Sequence, residues 1–337
     1  MLWNFTMFKK SSKEENITKD INNILTNKYP LKTKYNNVFH LTERKTYSEH
    51  SNFICTNILQ NDKSLNIYMS LKNNSTGEGY IFDKVNNLYI KAHSQIISKL
   101  LINYSLNHLI SCSYDKYIKI WDISNENSKM VCISQLKGHK GRIYDMDILK
   151  AKNKLLSCGM DKNILIWDIE QFVLINSISI MNSFHNLIIK YLSYENDSED
   201  QILVYSKNSI INIINMNDNK IIDTISIGLK EGPIIFINNK ECIYQNFKKL
   251  NLVIYNFLNK TIVGELKGCI NKVLALYKID IINKIISFDK GNDIRIWNYT
   301  KKFCELCIKV DFLLHCLYAN KKGELLCGSL NKTLIYN

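Results

Sequence analysis

Proline is nearly absent from this 337-residue chain, with two residues (Pro30 and Pro233), and glycine is sparse at twelve. These shortages exclude collagen-like, polyproline and Gly/Pro-rich disordered organisation. They also leave the turns to Asn, Asp, Lys and Ser. Arginine is scarce for a basic protein: Arg44, Arg142 and Arg295 are the only three among 44 basic residues, and the net charge is +13. Ligands gripped by a bidentate guanidinium, such as phosphoserine, phosphoinositide or guanine, are poorly served by that composition. Diffuse lysine attraction to RNA or to acidic protein fits it better. Long apolar runs are lacking as well. The uncharged ones are strand-sized, as at Phe312-Leu313-Leu314, far short of the roughly 18 residues of a membrane span. The apolar stretch from Leu2 to Phe8 is broken by Asn4 and Thr6, and Lys9-Lys10 follows it instead of preceding it. Neither a secretory leader nor a membrane contact is expected.

Catalytic signatures are missing too: there is no P-loop, no Gly-rich dinucleotide turn and no His-Glu-x-x-His pair. The expectation is a non-enzyme without cofactor or small-molecule substrate. What is present is a globular composition, 46 % hydrophobic and 22 % charged, which supports a sizeable core. The ten cysteines are scattered through apolar, strand-like segments, as buried free thiols are in a reducing compartment. Cys304-Glu305-Leu306-Cys307 alone has metal-like spacing. A regular strand sends those two side chains to opposite faces, and no second such pair exists, so no metal site is expected.

The charge is unevenly spread. Residues 1–45 carry nine Lys/Arg and four Asp/Glu, whereas the other 292 carry thirty-five and twenty-seven. A basic tail on a milder body suits phosphate contacts with rRNA. Drift in a composition dominated by Asn, Lys and Ile accounts for it equally well. Within this segment Ser12-Lys13-Glu14-Glu15 reads as a capping box, with Ile17, Ile21, Ile24 and Leu25 at helical spacing before Pro30.

An internal repeat decides the fold class. His93, Ser111, Asp115 and Trp121 reappear as His139, Ser157, Asp161 and Trp167, each displaced by 46 residues. Around them stand Leu109-Ile110-Ser111-Cys112 and Leu155-Leu156-Ser157-Cys158, then Ile118-Lys119-Ile120-Trp121 and Ile164-Leu165-Ile166-Trp167. This pattern resembles the WD-repeat family, whose unit is a four-stranded propeller blade. Weaker copies follow. An apolar residue and Asp or Asn close a strand-like run at Phe82-Asp83, Trp121-Asp122, Trp167-Asp168, Ile214-Asn215, Tyr255-Asn256, Trp297-Asn298 and Tyr336-Asn337. Seven such strands predict an all-β, seven-bladed propeller over residues 37–337, preceded by a basic extension with a short helix over 1–36. The segment Asn37–Thr42 is expected to close the ring on the sheet that bears Tyr336, because an open edge there would leave backbone groups unpaired.

Recurring Ser, His and Asp also invite a hydrolase reading. Two copies argue for architecture instead: the resemblance implies that Trp, Ser, His and Asp satisfy one another beneath the blade surface, where unpaired polar groups are costly. Asp145 and Asp147, two apart on a strand, read as a solvated stripe. By resemblance to the family, Ile96, Ser98 and Tyr114, then Arg142, Tyr144 and Met160, then Lys272 and Leu274 point to the top surface where partners bind. Tyr, Arg and Met are residue types of binding hot spots. Plain strand alternation would place the same residues without any partner.

A narrower resemblance runs from the second blade onward. Ala92-His93-Ser94, His108-Leu109-Ile110-Ser111, His139-Lys140-Gly141, Ile211-Asn212-Ile213-Ile214-Asn215-Met216, Gly264-Glu265-Leu266-Lys267, Arg295-Ile296-Trp297 and His315-Cys316-Leu317 resemble the PAK-interacting-protein family, nucleolar WD-repeat factors of large-subunit ribosome assembly. That resemblance implies an intracellular scaffold in nucleus and nucleolus, the cytoplasm being the alternative, with pre-ribosomal proteins as partners and rRNA near the N-terminal segment. Cys269 stands where that family usually has His, and its long basic C-terminal tail is lacking. The alternative is a substrate adaptor or structural subunit of another complex: a ubiquitin ligase, or a chromatin or trafficking scaffold.

Overall fold

The computed structural model describes residues 38–39, 45–125, 129–149, 153–180, 187–192, 201–206, 210–216, 218–227, 232–238, 240–246, 248–279, 283–310, 314–319 and 325–336. The helix expected over residues 13–25 and the boundary expected near residue 36 lie outside them.

Ile, Val, Leu and aromatic residues dominate the strands, where branched side chains suit a pleated, half-buried surface. After the short β1 (Val38–Phe39), blade one is built from β2 (Lys45–Gln60), β3 (Ile67–Asn73), β4 (Gly79–Asp83) and β5 (Leu88–His93). Blade two holds β6 (Ile97–Asn103), β7 (His108–Ser113), β8 (Tyr117–Asp122) and β9 (Val131–Lys137). Blade three holds β10 (Ile143–Leu149), β11 (Lys154–Gly159), β12 (Asn163–Asp168) and β13 (Val173–Ser179). Blade four follows with β14 (Leu187–Leu192), β15 (Gln201–Ser206), β16 (Ile210–Asn215) and β17 (Ile221–Ser226). Blade five has β18 (Ile234–Phe236), β19 (Glu241–Gln245), β20 (Leu252–Asn256) and β21 (Thr261–Leu266). Blade six has β22 (Val273–Ile279), β23 (Lys284–Asp289), β24 (Asp293–Asn298) and β25 (Phe303–Lys309), and β26 (Leu314–Ala319) and β27 (Leu325–Tyr336) end the chain. Within each blade, consecutive strands pair antiparallel.

With glycine scarce, the tight turns are made by residues that tolerate the left-handed region. Asn107, Asn153 and Asn283 occupy it at the hairpin between first and second strands, with φ of 51°, 46° and 49°. Lys116, Lys162 and Asn292 do so between second and third strands. In three blades a bond ties this second turn to the residue before the first strand: Tyr114 N–H to Ile96 O, Met160 N–H to Arg142 O and Lys290 N–H to Lys272 O, at 3.0, 2.7 and 2.9 Å. These turns and entry residues form one end of the ring, called here the upper end.

Apolar cores lie between neighbouring sheets, not within one sheet. Leu109 and Trp121 of blade two pack on Tyr68 and Ile81 of blade one, and Ile110 and Ile120 pack on Leu155 and Trp167 of blade three. Equivalent clusters join blades three to four, four to five and five to six. Two more seat the β26–β27 pair between blade six and blade one. The sheets thus form a closed all-β propeller.

Hydrogen bonding corrects the expected count. Six sheets are present among the described residues, not seven, because β26 and β27 belong to the sheet of blade one. In the expected seventh blade, the run closing at Tyr336-Asn337 is a third strand of its own. Instead β27 continues for 12 residues, and Lys332–Ile335 run out to pair with Lys45–Glu49 of β2. That pairing covers two edges at once, β27 and the long β2, which removes the unpaired backbone a separate half-blade would leave. The closing strand is corrected with it. Val38–Phe39 pair in parallel with Cys307–Ile308 on the outer strand of blade six, not with the strand bearing Tyr336. Closure between the two parts of the chain falls to Lys45–Ile54.

Candidate functional site

Beneath the upper end lie two copies of one polar network. In blade two His93 Nδ1 is 2.9 Å from Asp115 Oδ2, His93 Nε2 is 2.8 Å from Ser111 Oγ, and Trp121 Nε1 donates to the same Oγ at 2.9 Å. In blade three His139, Asp161, Ser157 and Trp167 repeat this at 2.9, 2.8 and 2.8 Å. The fold dictates the arrangement: Ser and Trp sit diagonally, two register positions apart, on the paired second and third strands, Asp in their turn, and His before the first strand. A carboxylate acceptor at Nδ1 assigns the Nδ1–H tautomer, so the serine hydroxyl donates to Nε2 while accepting from the indole. Burial pushes the Asp115 and Asp161 carboxyls up, but their histidine bonds and turn N–H donors outweigh this and hold both below the usual value. The spacing matches a nucleophile–base–acid chain, yet Ser111 and Ser157 have no exposed surface, and the indole bond occupies the hydroxyl. The eight tetrad residues cross-brace their blades.

Blade six keeps a fragment of the network and replaces the rest. Trp297 Nε1 still donates to Ser287 Oγ at 2.8 Å, but Cys269 occupies the histidine position. Arg295 fills the gap, with Nη1 donating to Asp289 Oδ2 at 2.6 Å and Nη2 to Asp293 Oδ2 at 2.8 Å, all three side chains buried. The signal of this charge triad in the sequence is a lone arginine inside the apolar run Ile294-Arg295-Ile296-Trp297 and a glycine, Gly291, in the turn-Asp position.

Two further expectations are corrected. Cys304 and Cys307 share a face, because an irregularity between Ile296 and Trp297 sets Trp297 opposite Cys304 and Arg295 opposite Cys307. The extra residue resets the alternation that regular pleating would impose. Burial pushes these thiols up to about 12 and about 11. Among the described residues no group of three or more His, Cys, Asp or Glu is placed to hold a metal ion. Asp145 is not part of a solvated stripe. It is buried, pairs with Lys99 at 2.6 Å and accepts the Ile189 N–H at 3.0 Å, so it joins blades two, three and four. Burial disfavours the Lys99 ammonium, but Asp145 and Asp147 overcome this and raise its pKa. Gln245, fully buried, plays a similar part between blades five and six, accepting the Val273 N–H and donating to Asn271 O.

The expected surface residues divide. Tyr114 and Tyr144 meet edge to face at 5.9 Å, across the junction of blades two and three, and the Arg142 guanidinium lies 5.4 Å above the Tyr114 ring. Met160, 46 % exposed, stands beside Arg142 through its backbone bond. These four converge. Lys272 and Leu274 are exposed at the upper end of blade six, away from that junction. Ile96 is half-buried. Ser98 points into structure: its hydroxyl donates to Ile143 O at 2.8 Å, linking blades two and three.

Comparison with known proteins agrees with this geometry. The family model of the WD domain, G-beta repeat, matches residues 85–122 and 130–168, the stretches that carry both complete tetrads. The solved structure of the WD40 beta propeller domain of Doa1 is similar over 88 % of this chain and 96 % of its own, with a TM-score of 0.68 and 15 % identity. No curated protein matches the chain in sequence. Two stretches of the chain match the WD repeat, and the chain as a whole has a β-propeller fold.

Proposed function

We propose that this propeller is a non-catalytic scaffold that docks protein partners on the upper end of blades two and three, and that it serves in assembly of the large ribosomal subunit in the nucleolus. The observation carrying the first part is the convergence of Tyr114, Arg142, Tyr144 and Met160 over two blades that each hold a complete tetrad. Rigid aromatic and guanidinium groups on an immobile support lose little entropy on binding. The assembly role rests on the family resemblance of the sequence from blade two onward, and the basic residues 1–45 are the segment expected to lie near rRNA.

The test is affinity purification of the full chain from cells, with mass spectrometry of what comes with it, for the parent and for Tyr144→Ala with Arg142→Ala. Tyr144 and Arg142 are partly or wholly exposed, so the variant is expected to keep its fold. Partners lost from the variant, and parent protein that sediments with pre-ribosomal particles in a salt- and RNase-sensitive way, support the reading. Co-migration with a ligase, chromatin or coat complex would select an adaptor role, and partners unaffected by the variant would remove this surface from the proposal.

A further inference from the structure

Among the described residues, the turn carboxylates of the upper end have internal partners, while several of its cations face outward. Asp115 and Asp161 are held by His93 and His139. Asp289 and Asp293 are held by Arg295, and Glu78 pairs with Lys91 at 2.6 Å. Against them, Lys116, Lys140 and Arg142 are exposed on blades two and three, and Lys248, Lys267 and Lys290 on blades five and six. The opposite end does not share this bias: Asp122, Asp168 and Glu170 lie in its turns after the third strands of blades two and three. The tetrads therefore do more than brace the blades, because they keep the turn aspartates Asp115 and Asp161 withdrawn beneath the surface while lysines and Arg142 of the described turns face solvent.

We infer that the partner segment docking on this mouth is an acidic polypeptide stretch interspersed with apolar side chains. The inference rests on the protein-docking reading above and deepens it. Electrostatic complementarity supplies the acidic part: a positive mouth attracts a negative segment and sets its orientation. Arg142 is arranged for a carboxylate. It is exposed with its Cζ 5.4 Å from the Tyr114 ring centre, and a guanidinium can donate two parallel hydrogen bonds to one carboxylate. The apolar part follows from Met160, Ile270 and Leu274, which are 46, 37 and 41 % exposed at the same end. A nucleic-acid backbone offers these side chains nothing, whereas Leu or Phe residues between acidic ones would cover them.

The experiment uses the full chain and two fluorescent probes: a synthetic peptide alternating Asp/Glu with Leu/Phe, and a single-stranded oligouridylate. Binding is followed by anisotropy at low and high salt. The variants are Arg142→Glu and Lys220→Glu; Lys220 precedes β17 at the opposite end with an 80 % exposed side chain, and its replacement changes net charge equally. The expected result is peptide binding weakened about tenfold by Arg142→Glu, as for reversal of an engaged interfacial charge, with a change below about twofold for Lys220→Glu. Equal weakening by both variants, or no peptide binding at all, overturns the inference. So does tighter binding of the oligouridylate with loss on Arg142→Glu, which would make the mouth a nucleic-acid site. If cellular partners are lost from the Tyr144→Ala, Arg142→Ala variant while the peptide test is negative, the docking surface stands and its acidic preference does not. If the peptide binds but those partners are retained, the charge preference stands without the cellular role.

Discussion

Replacing Arg295 by Met should be the most damaging conservative-sized change in blade six. Met keeps most of the aliphatic stem but removes both donors, Nη1 to Asp289 and Nη2 to Asp293. The two carboxylates do not suffer equally. Asp289 Oδ1 still accepts the Gly291 and Asp293 N–H groups at 2.8 and 3.1 Å, whereas Arg295 is the partner found for the Asp293 carboxylate. Orphaning one member of a buried ion pair costs about 3–5 kcal/mol. At about 2 °C per kcal/mol for a chain this large, the midpoint should fall by roughly 6–10 °C. Adding Asp293→Asn should recover roughly half, since the uncompensated charge is then gone while a polar atom stays buried. A buried carboxyl without its cation has a raised pKa. The penalty on its charged form therefore operates at higher pH and fades as the pH falls and the group is protonated, so the deficit of Arg295→Met should be smaller at pH 5 than at pH 8. Differential scanning calorimetry of parent, single and double variants at both pH values gives the answer. A single variant melting within about 1 °C of the parent would refute the buried-triad account, and a deficit that grows on acidification would refute its electrostatic origin.

Asp161→Ala should destabilise by about 1–3 kcal/mol by leaving the buried His139 Nδ1–H without its acceptor, with a like effect for Asp115→Ala; a variant that kept its melting temperature but abolished a hydrolytic activity would reverse the structural reading. Acid titration followed by near-UV circular dichroism should show tetrad stabilisation intact above the usual carboxylate range near pH 4. It should be lost as the pH falls through the lowered folded values of Asp115 and Asp161, since a depressed carboxyl pKa means that the native state favours the ionised form. Gly328→Ala should cost about 1–3 kcal/mol by overpacking, because a Cβ there would come 2.5 Å from Cys316 Sγ and 2.7 Å from Cys55 Sγ at the ring closure. In brief alkylation of the folded protein, Cys132 should react before the buried Cys55, Cys112, Cys158, Cys242, Cys316 and Cys327, as mass mapping can show.

The amino-acid sequence by itself determined the class of fold, the two tetrads and the turn chemistry. Each of these depends on local spacing: a 46-residue repeat places the same four polar groups, and Asn or Lys takes the left-handed positions that glycine would otherwise hold. Strand alternation, which is local, pointed Tyr114, Arg142 and Tyr144 toward one end of the ring, but their meeting across blades two and three is a tertiary contact. Tertiary structure decided the rest. Leu325–Tyr336 contains the apolar pattern of two strands, and only the edge offered by Lys45–Ile54 makes it one, so six sheets form where pattern alone predicts seven. An irregular register, invisible in a pattern with period two, put Cys304 and Cys307 on one face. Asp145 looks solvated until the neighbouring blades bring Lys99 and the Ile189 N–H to it. Long-range pairing settles which edges and charges meet, and no stretch of sequence contains that information alone.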